Sequence, residues 1–97
     1  MATYVALITF TQQGAEAIEH TVDRAAAFEK AVAQRGGKVR ELFWTLGAFD
    51  GAILFDAPDA ETATAIELSL VRKGNVRTQT LQAFDRTQML AILGKVG

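Results

Sequence analysis

Five side chains in this sequence have the types and positions to do chemistry: His20, Trp44, Asp50, Asn75 and Arg77. His20 is the only histidine. An imidazole titrates near pH 6.5, roughly, so His20 is the obvious acid, base, or axial ligand to a haem or metal. It lies two positions from Ile18, off the apolar side of its helix, where a solvated surface residue is the plainer reading. Trp44 and Asp50 bracket a turn and offer an aromatic wall and a carboxylate at the mouth of a cavity. Burial would raise the Asp50 pKa and suit it to general-base work. The structural alternative, which the turn chemistry favours, is that Asp50 holds backbone N–H groups. Trp44 has its own alternative, packing at a sheet edge or a subunit interface. Arg77, next to Asn75 and Thr78, has the fork to bind a ligand carboxylate. An ion pair with Glu41 or Asp50, within or between subunits, explains it more simply. Trp44, Asp50, Asn75 and Arg77 are the candidate ligand-binding set, and Asp50 and His20 are the candidate catalytic groups.

Several chemistries are disfavoured. There is no cysteine, so no disulfide framework or thiol chemistry is available, and a single histidine makes a zinc site improbable. No glycine-rich nucleotide loop, His-Glu-x-x-His motif or Ser-His-Asp grouping is present. No cofactor is expected. Lys and Arg number 10 against 11 Asp and Glu, a net charge of −1, with the two signs interspersed. No basic stripe speaks for nucleic acid or an anionic membrane.

The elements that must position these residues can be read from the hydrophobic pattern. Tyr4 to Phe10 is apolar at nearly every position, as in a strand buried on both faces. Thr11 can cap a helix. Ile18, Val22, Ala25, Phe28 and Val32 then form one apolar stripe on a helix that runs to about Arg35, with a break before Thr21. Gly36-Gly37 ends it. Lys38 to Thr45 is an edge strand, with Val39, Glu41, Phe43 and Thr45 on one face and Lys38, Arg40, Leu42 and Trp44 on the other. A tight turn over Leu46 to Gly51 leads to an apolar third strand, Ala52 to Phe55. Pro58-Asp59 opens a helix whose buried stripe is Ala63, Ile66 and Leu70 and which Gly74 ends, with Arg72 and Lys73 opposing its dipole. Val76 to Phe84 is a fourth, mixed strand. Asp85 and Gln88 match a capping box before a short apolar helix at Met89 to Leu93.

This order is β-α-β-β-α-β plus a short C-terminal helix, in one domain over residues 1–97. With right-handed crossovers it gives an α+β, ferredoxin-like four-stranded antiparallel sheet with strands one and three in the centre. Both helices then lie on one face. The other face still shows every second residue of two apolar runs, and 49% of the chain is hydrophobic. A second sheet packed face to face is the economical cover, so the expected partner is a second copy, in a homodimer or higher homo-oligomer. The alternative is that the C-terminal helix folds back over its own sheet. The same layout serves RNA-binding domains, but there the third strand carries basic and aromatic residues, whereas here Gly51 to Phe55 is aliphatic apart from Phe55 and the net charge is negative. The apolar run at the N-terminus stops at Phe10, too short for a signal peptide or a membrane span, so the expected setting is cytoplasmic.

Phe43-Trp44-Thr45-Leu46-Gly47-Ala48-Phe49-Asp50 and Gly74-Asn75-Val76-Arg77-Thr78 resemble the two signatures of the GYD domain family. The opening Met1 to Val5, the Arg24 to Phe28 segment and the closing Met89 to Leu93 resemble it too. The resemblance implies a bacterial protein with the dimeric α/β-barrel form of the ferredoxin-like fold. It implies no single function, since proteins of this fold include cofactor-free monooxygenases, isomerases, haem enzymes and ligand sensors. One departure stands out. The aromatic residue before the aspartate is usually tyrosine in the family and is Phe49 here, so no phenol is available as an acid or donor.

Three functions follow, in order of preference. The first is a homo-oligomeric accessory or ligand-binding protein, holding a small, partly apolar molecule without turnover. The second is a cofactor-free oxygenase or isomerase, which requires Trp44, Asn75 and either His20 or Asp50 to converge. The third is haem or metal binding through His20.

Overall fold

The computed structural model describes all 97 residues. The elements are β1 (Ala2–Phe10), α1 (Gln12–Glu16), a single 3-10 turn (Ile18–His20), α2 (Thr21–Gln34), β2 (Lys38–Trp44), β3 (Gly51–Ala57), α3 (Ala60–Val71), β4 (Val76–Ala83) and α4 (Arg86–Leu93). The four strands form one antiparallel sheet in the order β2-β3-β1-β4. This is the ferredoxin-like topology expected, with the two most apolar strands in the centre.

The core lies between one face of this sheet and the helices α2 and α3. Along β1, Tyr4, Ala6 and Ile8 are buried, and along β3 so are Ile53, Phe55 and Ala57. Phe28 and Val32 of α2 and Ala63 and Ile66 of α3 close over them. Phe55 is the hub. Its ring stacks on Tyr4 at 5.6 Å and meets Phe28 edge to face at 6.1 Å, both favourable aromatic geometries.

Two sequence expectations are corrected. Ile18 and Val22 do not join the buried stripe but are exposed. The helical path breaks at Ala17, passes through the 3-10 turn and restarts at Thr21, so Ile18 falls out of phase with Phe28 and Val32. Val22, within the first turn of α2, sits about 120° round the helix from Phe28, off the buried face. The faces of β2 also differ from simple alternation. Val39 pairs with Phe55, but Glu41, not Arg40, pairs with Leu54, so an irregularity at Arg40 inserts one residue. A bulge of this kind reverses the alternation beyond it. Val39, Leu42 and Trp44 therefore share the helix-covered face, opposite Phe55, Ile53 and Gly51, while Lys38, Glu41 and Phe43 share the other.

The helix caps form as their sequences suggest. Asp59 caps α3 by accepting a hydrogen bond from the Thr62 N–H. Asp85 and Gln88 form the reciprocal capping box of α4. Yet α4 has no buried residue. Met89, Leu90 and Leu93 are exposed, as is Phe84 just before the helix. The molecule measures 50 × 30 × 19 Å. Its radius of gyration is 14.5 Å, against about 12.5 Å for a chain of this length packed into one globule. The C-terminal helix does not fold back to bury the uncovered face of its own sheet. No helix is long and apolar enough to cross a membrane.

Candidate functional site

Two of the candidate residues, Asp50 and Asn75, are anchored at the C-terminal end of β1. Asp50 arrives from one side, at the end of the β2–β3 connection. Its Oδ2 accepts the Phe10 N–H at 2.8 Å, and its own N–H donates to the Ile8 carbonyl at 2.8 Å. Thr45 ties the connection to itself, its N–H donating to the Asp50 carbonyl and its hydroxyl to the Phe49 carbonyl. The Gly74-Asn75 turn arrives from the other side. The Asn75 carbonyl accepts the Thr11 N–H at 3.1 Å, and the Gly74 carbonyl accepts the Thr11 hydroxyl at 2.6 Å. Gln13 adds a second tie, its Nε2 donating to both the Lys73 carbonyl and Asn75 Oδ1 at 2.9 Å.

Two glycines permit this. Gly74 has φ +84°, a conformation that costs other residues energy. Gly14 comes so close to the Asn75 carbonyl that a Cβ would collide with its oxygen. The two motifs read from the sequence, around Asp50 and around Asn75, are thus two staples on the same strand end. Asp50 takes the structural role favoured for it: its carboxylate satisfies a backbone N–H, although on β1, 40 positions away, and not inside its own turn.

Beside this strand end lies a mostly apolar cleft of about 60 Å³, with Phe10, Arg24, Phe28, Phe43, Trp44 and Asp50 among its walls. Trp44 ends the edge strand and remains half exposed. Its Nε1 donates to Thr21 Oγ1 at 3.0 Å and so fastens the edge of the sheet to the start of α2. Drug-sized ligands need cavities of roughly 300 Å³ or more. In a single chain the cleft admits a few waters or one small group of a ligand.

The candidate residues do not converge. Trp44 and Asp50 line the cleft together. Asn75 lines a different hollow, between α2, α3 and β4. Arg77 pairs with Thr9 across the β1–β4 ladder, out of phase with the core residues Ile8 and Val76, and so projects from the opposite face. Within the chain Arg77 pairs with neither Glu41 nor Asp50; Arg40 pairs with Asp56, and His20 lies 3.6 Å from Glu19 and 3.8 Å from Asp23. His20 lies in the turn before α2 with its side chain 63% exposed, lining neither hollow. No three His, Cys, Asp or Glu side chains cluster as a metal site would require. A base must reach its proton at hydrogen-bond distance, and no such constellation assembles around His20.

Arg24 is a further residue placed between the two hollows. Arg24 donates from Nη1 to the Ala17 carbonyl at 2.9 Å and from Nη2 to the Gly14 carbonyl at 3.1 Å, and it lines both hollows. Its sequence neighbours Ala25 to Ala27 give no hint of this, because its partners lie across the helix break.

Comparison with known proteins agrees with this architecture. A protein of Thermus thermophilus named "Glutamine synthetase and cystathionine beta-lyase binding protein" is 30% identical over 94 residues, covering 96% of this chain and 99% of that one. A crystal structure of a protein from Thermus thermophilus superposes with a TM-score of 0.57 at 25% identity, covering 88% of this chain and 95% of that one. A feast or famine regulatory protein from M. tuberculosis, solved with L-methionine, has a TM-score of 0.61 at 14% identity over 88% of this chain and 51% of that one, a likeness of fold alone. The GYD domain model matches residues 4–93. The chain belongs to the GYD domain family.

Proposed function

We propose that this protein is an accessory protein that works by binding: it self-associates through the uncovered face of its sheet and docks onto a partner enzyme. The observation that carries the reading is the composition of that face. Val5 and Leu7 of β1, Leu54 of β3, Phe43 of β2 and Leu81 of β4 share it by register, with Lys38, Glu41, Arg77 and Gln79 around them. An apolar centre with a polar rim is the anatomy of a protein interface. The face of a four-stranded sheet offers on the order of 400 Å² of projected area. A stable interface removes about 800 Å² from each partner. Phe84, Met89, Leu90 and Leu93 on and before α4, also exposed, offer further apolar area.

The relative from Thermus thermophilus is named for binding two enzymes, which supports an accessory role in this chain as well. The non-convergence of His20, Asp50, Asn75 and Arg77 favours binding over catalysis. The cytoplasm, where such enzymes work, is the proposed setting.

Two measurements test this. Light scattering at micromolar concentration should give twice the chain mass or more, and Leu54→Lys should give a folded monomer. A wild-type monomer would overturn self-association. The glutamine synthetase and cystathionine beta-lyase of the same organism should then be mixed, purified, with the wild-type protein in gel filtration. Co-elution with either supports enzyme binding, and failure to co-elute with both counts against it.

A further inference from the structure

The hollow between α2, α3 and β4 has a chemistry of its own. It measures about 90 Å³ and lies behind the cleft of Trp44 and Asp50, sharing Phe28, Leu70 and Val76 with it. These three, with Ala27 and Ala31, make its apolar wall. Its polar residues are Arg24, Lys73, Asn75 and Ser69, and no carboxylate lines it.

The hydrogen bonds around the hollow leave it rich in donors. Arg24 commits one N–H each from Nη1 and Nη2 to backbone carbonyls, which leaves three of its five donors unspent. Gln13 Nε2 must face the Lys73 carbonyl, which fixes the amide of Gln13. That in turn requires Asn75 to present Oδ1 to Gln13, leaving the two Nδ2 donors of Asn75 uncommitted. Lys73 and Arg24 make no ion pair.

A lysine after a helix often serves the last carbonyls. Here most of those carbonyls are taken already. Leu68, Leu70 and Val71 accept from Arg72, Lys73 and Gly74 N–H groups, the Lys73 carbonyl from Gln13, and the Gly74 carbonyl from Thr11. Of the last four carbonyls of α3, only that of Ser69 is left without a donor. Two cations and an amide stand around an apolar pocket without a counter-charge.

We propose that this hollow binds a small carboxylate with a short apolar tail: the carboxylate meets Lys73, Asn75 and the unspent donors of Arg24, and the tail lies against Phe28, Leu70 and Val76. The volume limits the ligand to a few heavy atoms. The absence of any lining carboxylate excludes a free amino acid as the preferred ligand, since its ammonium would enter a cationic site without a partner. The apolar wall excludes inorganic phosphate as the preferred ligand, since phosphate would leave that wall unfilled.

The test is an NMR titration of the full-length protein with sodium propionate at constant ionic strength, following backbone amides. Saturable shifts should be confined to residues around the hollow, including Ala27, Ala31, Ser69, Lys73 and Asn75. Propionamide, the neutral isostere, should produce none. Lys73→Gln should weaken propionate about tenfold, the loss expected for one hydrogen bond to a charged group. Ala31→Leu, which fills the hollow from α2, should abolish the titration while leaving the rest of the spectrum in place. Lys73 is exposed, so its variant tests the site without endangering the fold. Shifts that fail to saturate, equal affinity in Lys73→Gln, or binding of L-alanine or phosphate as tight as propionate would each overturn the proposal.

Discussion

The two faces of the sheet are built from the same strands yet have opposite characters. On one, Tyr4, Ile8, Ile53 and Phe55 are buried under α2 and α3. On the other, Val5, Leu7 and Leu54 are only partly buried, and Phe43 and Leu81 are exposed at 56% and 54%. Adjacent apolar residues such as Leu7 and Ile8, or Leu54 and Phe55, thus differ in what they bury against, not in how apolar they are. Hydrophobicity that a fold does not use internally is a statement about a partner. The covered face makes the monomer; the open face carries the proposed self-association.

Neighbours on opposite faces separate these roles most sharply. Phe55 is 1% exposed and touches both Tyr4 and Phe28. Phe55→Ala should cost about 3–5 kcal/mol, the usual range for a buried aromatic, measured by urea unfolding. The loss should be the same at every protein concentration. Leu54→Ala should cost less than about 1 kcal/mol within the monomer, since Leu54 is only partly buried there. Its effect on the assembly should depend on concentration, because an interface stabilises by mass action. A concentration-independent loss at Leu54 as large as that at Phe55 would erase the distinction between the faces.

Where the covered face is sewn together, the next largest effect is expected. Asp50→Ala removes the acceptor of the Phe10 N–H and leaves a partly buried donor without a partner. That should cost about 1–3 kcal/mol. Asp50→Asn, which retains an oxygen able to accept, should recover much of it. If Asp50→Ala unfolds at the wild-type urea midpoint, the carboxylate is not a staple and is available for chemistry in the cleft.

Local signals in the sequence were legible and long-range ones were not. The caps at Asp59 and Asp85 were readable because donor and acceptor lie within three residues of each other. The central places of β1 and β3 followed from apolar residues on both faces. The faces of β2 beyond Arg40 did not, because a bulge leaves no mark in a run of alternating residues. The turn chemistry marks Asp50 as a holder of backbone groups, but its partner, the Phe10 N–H, belongs to a strand brought alongside only by the fold. Arg77 was grouped with Asn75 because they are two apart in sequence. Strand alternation would put residues two apart on one face, but Asn75 lies in the turn before β4, outside the alternation, while Arg77 follows the buried Val76 on the outward phase.

Thr80 offers a gain in place of a loss. It shares the covered face with Ala6, its partner in the β1–β4 ladder, and its buried hydroxyl has no hydrogen-bond partner. An unsatisfied buried hydroxyl costs free energy that a methyl of the same shape does not. Thr80→Val should therefore raise stability by about 1 kcal/mol, read as a higher urea midpoint with an unchanged slope. On the open face the corresponding change, Gln79→Val, should leave the monomer's stability nearly unaltered, since Gln79 is exposed. A lower midpoint for Thr80→Val would mean that the hydroxyl has a partner after all, such as a bound water.

The smallest effect concerns what holds α3 over its face. Asp59 accepts the Thr62 N–H at 2.7 Å. That backbone hydrogen bond, and secondarily the Thr62 hydroxyl, lower the Asp59 pKa below its ordinary 3.8. A depressed folded-state pKa means that the ionised cap stabilises the fold above the unfolded value and that this contribution is lost as the pH falls through the lower, folded one. Asp59→Asn keeps an equally good capping oxygen but carries no charge. Thermal unfolding of the two proteins from neutral to strongly acidic pH isolates the charge. The wild type should melt slightly higher at neutral pH, and the gap should close in acid once Asp59 is protonated. The covered face would then be held a little less firmly below that point, while the apolar centre of the open face gains and loses nothing through this group. A gap that persists unchanged into acid would show that the Asp59 cap acts by shape alone and that no charge holds the start of α3.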